Sequence, residues 1–411
     1  MRIRWIGALI AAMAGLSCAT GMARALPEQA AGDWPRFRGP AGDGRAAPTR
    51  LRTDWNARPP ALLWKVAMGD DGYAGPSVSA GLLYIVDHAG ERDIVRAIRL
   101  SNGIEAWRFE YPEEARSVYG FARSTPTVET GRVFVQSRSG VVHCLDARSG
   151  KLVWRRDMVA ELGGRSPMWK YSASPVVDRG RLIVWPGGAQ SSIAALDPRT
   201  GRTLWTGGDG DIAGYGTPVA AVIGGRRMFV MTVWNGFVGV RDSDGALVWR
   251  FPWPARDGCN CASPVVLPDG SVFITASYDT GCALLDVSGA KPSAVWRNTE
   301  MKAHFSTPIL HEGFLYGASD PGSLVCLDPR TGASRWRAPG FEKGGAVLVG
   351  GLLIALCGST GDAVMVRATP DRYEELGRFT PLGGQSWTAP IVAGGRLIVR
   401  NRQTLACFSL E

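Results

Sequence analysis

The chain is short of the features on which most enzymatic chemistry is built. Four histidines are spread through 411 residues as His88, His143, His304 and His311. No nucleophile elbow, phosphate-binding glycine loop or paired-carboxylate arrangement stands out, so no acyl-transfer, nucleotide or acid–base signature is on offer. Long hydrophobic runs are missing too. Beyond residue 16 no apolar stretch reaches the length that crosses a bilayer as a helix. Charge is thin, at 20% of residues, and the cations are mostly arginines scattered over turns, with no block of five or six. Nucleic acid, which wants a basic stripe, is excluded as a partner. Attraction to an anionic surface stays compatible with the formal charge of +9.

Cysteine is present but badly placed for a disulfide framework. There are eight, none adjacent to another. Cys144, Cys326 and Cys407 occupy one repeat position in apolar strands and read as small buried hydrophobes. Cys259, Cys261 and Cys282 fall near one another in the repeat plan. A disulfide from Cys282 to Cys259 or to Cys261 is the expectation there. Zinc is not expected, because no further His or Cys pair completes four ligands.

Residues 1–25 read as a secretory signal. Arg2 and Arg4 open it, Ile6 to Leu16 form a short apolar core, and Ala23-Arg24-Ala25 offers a small-x-small cleavage site. A competing reading places a lipid on Cys18. The expected location is therefore periplasmic or secreted. Residues 26–60 form a Pro/Gly-rich arm with Trp34 and Phe37 as its anchors to the body, because Pro and Gly at this density argue for an extended segment.

From residue 61 to 411 one unit recurs. Its clearest copies are Cys144-Leu145-Asp146-Ala147-Arg148-Ser149-Gly150 leading to Trp154, and Cys326-Leu327-Asp328-Pro329-Arg330-Thr331-Gly332 leading to Trp336. The aspartate (Asp146, Asp197, Asp286, Asp328) starts a tight turn, and the tryptophan that follows supplies a large apolar side chain between sheets. This marker falls at Trp64, Trp107, Trp154, Trp205, Trp249, Trp296 and Trp336, with Phe379 as a degenerate eighth, at intervals of 40 to 51 residues. That is the period of a four-stranded propeller blade. Small-x-Pro steps such as Ala173-Ser174-Pro175 open the inner strands of all blades but one, and period-two alternation with Gly and Asp turns fills the rest. The segment around Trp64 lacks its blade-mates, while the C-terminus supplies three strands and stops. Joining them gives an all-β fold: eight blades of four antiparallel strands, closed by the two termini, with no free sheet edge left at the seam.

These Leu-Asp-x-x-Thr-Gly-x-x-x-Trp units resemble the pyrroloquinoline-quinone (PQQ) type repeat of quinoprotein alcohol dehydrogenases and of BamB-type outer-membrane assembly lipoproteins. The opening Trp34-Pro35-Arg36-Phe37-Arg38-Gly39-Pro40 is similar to exported PQQ-repeat-like proteins. Eight blades on so short a chain look more like the assembly-factor type. The resemblance implies a fold; activity has to be argued from a site.

The residue three places before each inner-strand proline should stand at one mouth of the central channel. Those residues are Tyr73, Arg123, Ser172, Tyr215, Cys261, Phe305 and Trp387, with Lys343 at the same level in the blade lacking a proline. One position earlier come Tyr171, Asn260, His304 and Glu342. This is an aromatic ring with a few polar groups, the composition of a ligand mouth or of a plug. By resemblance, a working quinoprotein needs an aspartate base, calcium on carboxylate and amide oxygens, a tryptophan floor and a disulfide between adjacent cysteines. Calcium wants six or more oxygens, and the candidates are Asp70, Asp71, Asn260 and Glu342, spread over three blades, with Trp387 as a floor. The leading expectation is thus a monomeric, exported, non-catalytic scaffold or binding protein of the cell envelope, without cofactor or metal, whose partner is an envelope protein. The alternatives are a PQQ- and calcium-dependent alcohol dehydrogenase, and a glycan or small-molecule binder at the mouth.

Overall fold

The computed structural model describes residues 32–411 except 117, 118 and 290. The segment 1–25 that is expected to be a secretory signal, with Cys18, and the first residues of the arm lie outside the described residues. Eight four-stranded antiparallel sheets are arranged as blades. In order they span 77–112, 127–157, 176–207, 219–252, 265–298, 309–339 and 346–379, and the eighth combines 391–409 with 62–67. The strand Leu62–Ala67 pairs with Thr404–Ser409, so both termini share one sheet, as the repeat count requires. Among the described residues one short α-helix, Met158–Leu162, and one 3-10 turn, Arg256–Gly258, interrupt the pattern; the helix is capped by the Asp157 carboxylate, which accepts from the Val159 and Ala160 amides.

Two turn chemistries build the blades. In four of them the first hairpin carries a non-glycine residue and then a glycine, both with positive φ: Ala80-Gly81, Thr130-Gly131, Arg179-Gly180 and Glu312-Gly313. Three others use Gly-Gly at 224–225, 350–351 and 394–395. Such a pair matches the twist of the flanking strands in a two-residue loop. The second chemistry is the aspartate turn. Asp146, Asp197, Asp286 and Asp328 each accept from the amide two residues on, at 2.8 to 3.2 Å.

The repeat's tryptophan and glycine meet across blade boundaries. A Cβ on Gly150 would lie 2.5 Å from the Trp107 ring of the preceding blade, and Gly103, Gly201, Gly245 and Gly332 stand in the same way against Trp64, Trp154, Trp205 and Trp296. The indole N–H of most of these rings also donates to a carbonyl in that neighbouring turn. Trp64 bonds Leu100, Trp107 bonds Ala147, Trp154 bonds Pro198 and Trp296 bonds Pro329, at 2.8 to 3.1 Å. Trp336 reaches Thr369 at 2.8 Å. Phe379 is met instead by Trp55 from the arm, edge-on at 5.2 Å. Trp249 departs from the rule: its ring packs on Gly239 of its own blade.

The arm crosses the channel. Gly32 accepts from Gly394, Trp34 and Val78 exchange amide bonds, and Pro35 accepts from Val128. Arg36 donates to the Val177 carbonyl at 3.1 Å, Arg38 to Thr307 and Pro308 at 2.6 and 2.9 Å, and Gly44 and Ala46 bond Leu348. Innermost strands of six blades, or the residues next to them, are thus stitched to the arm. Trp34 and Trp55 are buried at 3% and 1% exposure. The anchoring expected of Trp34 extends along the described part of the arm, from Gly32 to Trp55, which lies across one end of the channel.

Candidate functional site

Above the arm lies a cavity of about 410 Å³, where the inner strands begin. Tyr73, Arg123, Ser172, Tyr215, Cys261, Phe305, Lys343 and Trp387 all line it, and His304 joins them from the position before. The other residues of that earlier position do not. Tyr171 is buried, with its hydroxyl donating to the Pro186 carbonyl at 2.7 Å. Asn260 is fully buried, and its amide donates to the carbonyls of Val233, Trp234 and Trp253. Glu342 accepts from the Ser359 hydroxyl at 2.7 Å, outside the cavity lining. Neighbouring side chains of an extended segment point to opposite sides, so one position turned inward sends the next one away. His304 escapes this by stacking flat on Phe305, with ring centroids 3.9 Å apart.

Several lining residues had no place in that register. Tyr119, Trp169, Arg256 and Asp257 come from the loops joining successive blades, Tyr278 from a loop within the fifth blade, and Arg38 from the arm. The long loop around Trp169 did leave a trace, because it makes the Trp154 to Trp205 interval the widest at 51 residues. Among the non-glycine residues with positive φ, Arg38, Asp257, Tyr278 and Lys343 line the cavity. Left-handed backbone at non-glycine positions costs energy and concentrates where structure is held for a purpose.

The aromatic groups form a connected wall. Tyr73 stacks on Trp387 at 5.4 Å and 20°, and Trp387 meets Phe305 at 5.5 Å. Lys343 places its ammonium 5.1 Å from the Trp387 ring centre and 5.7 Å from that of Phe305. On the far side Tyr119 stands edge-on to Trp169 at 4.8 Å, and Tyr278 edge-on to His304 at 4.9 Å. Four cations, Arg38, Arg123, Arg256 and Lys343, line the space against one described carboxylate, Asp257. Burial pushes the guanidinium groups of Arg38 and Arg123 down to about 10, a sign of cations held away from bulk water. The Arg38 group is satisfied by carbonyls of Gly42, Asp43, Thr307 and Pro308.

A calcium–quinone centre does not fit these residues at the metal. Asn260 is turned away from the cavity lining, with its NH2 on three backbone carbonyls and its Oδ1 buried without a partner; Glu342 accepts from the Ser359 hydroxyl, Asp70 accepts from the Gly90 amide at 3.0 Å, and Asp71 is paired with Arg402. Among the described residues no three His, Cys, Asp or Glu side chains converge as a metal site. The cationic, aromatic wall by itself suits a flat anion.

The expected bridge from Cys282 is absent: all seven described cysteines are free. Cys282 is buried inside the fifth blade, where its thiol donates to the Asn298 side-chain oxygen at 3.1 Å. Cys259 and Cys261 face the cavity instead.

The family described as "Outer membrane protein assembly factor BamB" matches residues 91–338, more than half of the chain. The outer membrane protein assembly factor BamB of Moranella endobia is 23% identical over 228 residues, 53% of this chain and 57% of that protein. A quinohemoprotein alcohol dehydrogenase from Comamonas testosteroni is 26% identical over 281 residues, 61% of this chain and 37% of its own. The chain thus spans about half or less of the curated relatives it matches. Among solved structures, a europium-containing methanol dehydrogenase superposes with a TM-score of 0.72 at 13% identity, covering 92% of this chain and 98% of that one. At that identity the likeness speaks for the eight-bladed fold alone. With more than half its length matched, and with every blade built on the same repeat, the chain belongs to the BamB family of β-propeller proteins.

Proposed function

We infer that the protein is an exported, non-catalytic propeller of the bacterial envelope, a scaffold whose mouth cavity binds a small planar anion. The observation that carries the ligand is the Tyr73–Trp387–Phe305 stack with Lys343 over two of its rings. A flat ligand gains stacking area there, and its negative charge meets Lys343 and Arg123 in a space where water screens little. The scaffold part draws support from the family match and from the outer strands. Leu63, Val153, Leu204 and Val295 leave 40 to 58% of their surface exposed on the rim, the sort of apolar surface on which a protein partner rests. Export is supported by the basic, apolar and small-x-small pattern of residues 1–25.

Calorimetric titration of the purified protein with pyrroloquinoline quinone, a flat tricarboxylate, tests the reading, first in chelator and then with calcium. Expected are micromolar affinity without calcium, a loss of about tenfold in Trp387→Ala, and no dye-linked oxidation of primary alcohols. Calcium-dependent binding with turnover would instead establish the dehydrogenase alternative.

A further inference from the structure

The cavity wall holds a pair of cysteines that the binding function does not use. Cys259 and Cys261 flank Asn260, whose side chain is anchored in the core by three carbonyls and whose backbone carbonyl accepts from the amides of Tyr215 and Gly216. The backbone bends tightly at Cys259, with the Asn260 amide bonded to the Gly258 carbonyl at 2.7 Å, a three-residue turn. With Asn260 pinned inward, both neighbouring thiols are turned to the cavity, on one side of the same short segment. Other described cysteines differ in kind. Burial pushes the thiols of Cys144, Cys282, Cys326 and Cys407 up to about 12 and that of Cys357 up to about 11, which leaves them inert as nucleophiles.

The surroundings of the pair favour an anion. Cys261 interacts directly with Cys259, and His304 reaches the same sulfur; Arg123 and Lys343 act on Cys261. Tyr215, Tyr278, Asp257 and, through His304 at 3.6 Å, Asp320 complete the charged and titratable groups that face it, with Arg256 over the Tyr278 ring. The hydrogen bond from the Cys261 thiol, with that of His304, holds Cys259 below the ordinary thiol range, while Cys261 is pushed up by the same bond. Arg123 and Lys343 act on Cys261, the Cys259 sulfur lies 3.9 Å from the Asp257 carbonyl, and among the described residues no three His, Cys, Asp or Glu side chains gather as a metal site, which argues for thiol chemistry over a resident metal.

We propose that Cys259 and Cys261 are a thiol–disulfide exchange pair in the cavity wall, with Cys259 the attacking sulfur, His304 its positioning residue, and small anionic disulfides the substrate class. The Cys259 thiolate attacks one sulfur of the disulfide, whose S–S bond breaks and releases one thiolate. Cys261 then gives up its proton to the second departing thiolate as it attacks the Cys259 sulfur. The protein dithiol is oxidised to a disulfide by two electrons, and the small disulfide is reduced to two thiols. Arg123, Arg256 and Lys343 select for negative charge on the substrate.

The probe is 5,5′-dithiobis(2-nitrobenzoate), a dianionic aromatic disulfide, reacted with the folded full chain and followed by peptide-mapped mass spectrometry. Expected is a fast phase releasing two thiolates per chain and leaving Cys259 joined to Cys261 without adduct. Its rate should change by no more than about threefold between about pH 8 and about pH 6, whereas an ordinary thiol slows about a hundredfold over that span. Cys261→Ser should stop at a stable adduct on Cys259 with one thiolate released. His304→Gln should slow the reaction about tenfold at the lower pH and restore a steep pH profile. Lys343→Gln should slow the anionic probe far more than neutral dipyridyl disulfide. A hundredfold fall in the wild-type rate, an adduct that persists on Cys259, or label on the buried cysteines would overturn the exchange pair. Equal rates for the two probes in both proteins would overturn the anionic substrate class.

Discussion

Around the outside of the ring, neighbouring blades meet through one contact used again and again: an indole over a glycine turn, with its N–H on the turn's carbonyl. At the mouth no such repetition exists. There the blades present Tyr73, Arg123, Ser172, Tyr215, Cys261, Phe305, Lys343 and Trp387, eight positions with hardly a residue in common. The full contact recurs at Trp64, Trp107, Trp154 and Trp296, because these blades share one mechanical task. The mouth is free to vary because the ring already holds it in place, and loops on a rigid frame are where recognition accumulates. Mutations should therefore divide sharply, with rim changes felt in stability and mouth changes in binding.

The largest effect is expected at the seam. Trp64 is 7% exposed, lies on Gly103, donates to the Leu100 carbonyl, and sits on the strand that closes the ring. Trp64→Ala should lower unfolding stability by about 3–5 kcal/mol, read as a shifted urea midpoint, and leave the ligand affinity of the folded fraction unchanged. An equal loss of binding would break the division between rim and mouth.

The frame also carries its own acid sensitivity. His143 is 4% exposed, stacks on Tyr111 at 4.3 Å, and burial pushes its imidazole down to about 4. The unfolded chain takes up a proton near the ordinary value of about 6.5 that the folded chain refuses until about 4. The stability this group contributes is complete above the unfolded value and is lost as pH falls between the two, by up to about 3 kcal/mol. His143→Phe should flatten that limb of the stability-against-pH curve relative to wild type; an unchanged slope would place the acid sensitivity elsewhere.

At the mouth the expected pattern reverses. Trp387→Ala should weaken a planar anion about tenfold, near 1.4 kcal/mol, while the urea midpoint moves little, since the ring borders open space. Comparable losses in both assays would mean that the aromatic wall is a plug that the fold needs.

The same contrast explains what could be read from the sequence. The blade count and the closing seam were legible because the Asp turn, the glycine and the indole recur at a fixed spacing, and each copy corroborates the others. Three residues before a proline worked as a pointer to Tyr73, Arg123, Tyr215, Phe305 and Trp387, because the proline fixes where the inner strand begins. Four residues before it failed for Tyr171, Asn260 and Glu342, whose side chains turn back into blade or loop. Tyr119, Trp169 and Tyr278 were out of reach, since each belongs to a loop without a counterpart in other blades. Arg38 was missed for another reason: only the folded ring shows that the arm passes beneath the cavity.

The smallest predicted effect is the sharpest test of the rim, because it compares two tryptophans of one repeat. Trp64 gives its indole N–H to Leu100 at 2.9 Å, whereas the buried N–H of Trp249 has no partner among the described residues, its ring having turned onto Gly239. In the sequence of the next blade the place four after the aspartate, filled by Gly150 after Asp146 and by Gly332 after Asp328, is Ala290 after Asp286. Phenylalanine keeps most of the apolar area and removes the donor. Trp64→Phe should then cost about 1 kcal/mol for the lost hydrogen bond, while Trp249→Phe should cost nothing or stabilise by about as much, by removing a donor that is buried without a partner. Paired urea titrations separate the two. If both substitutions destabilise alike, the indole N–H is irrelevant to the joint, and packing over glycine alone holds neighbouring blades together.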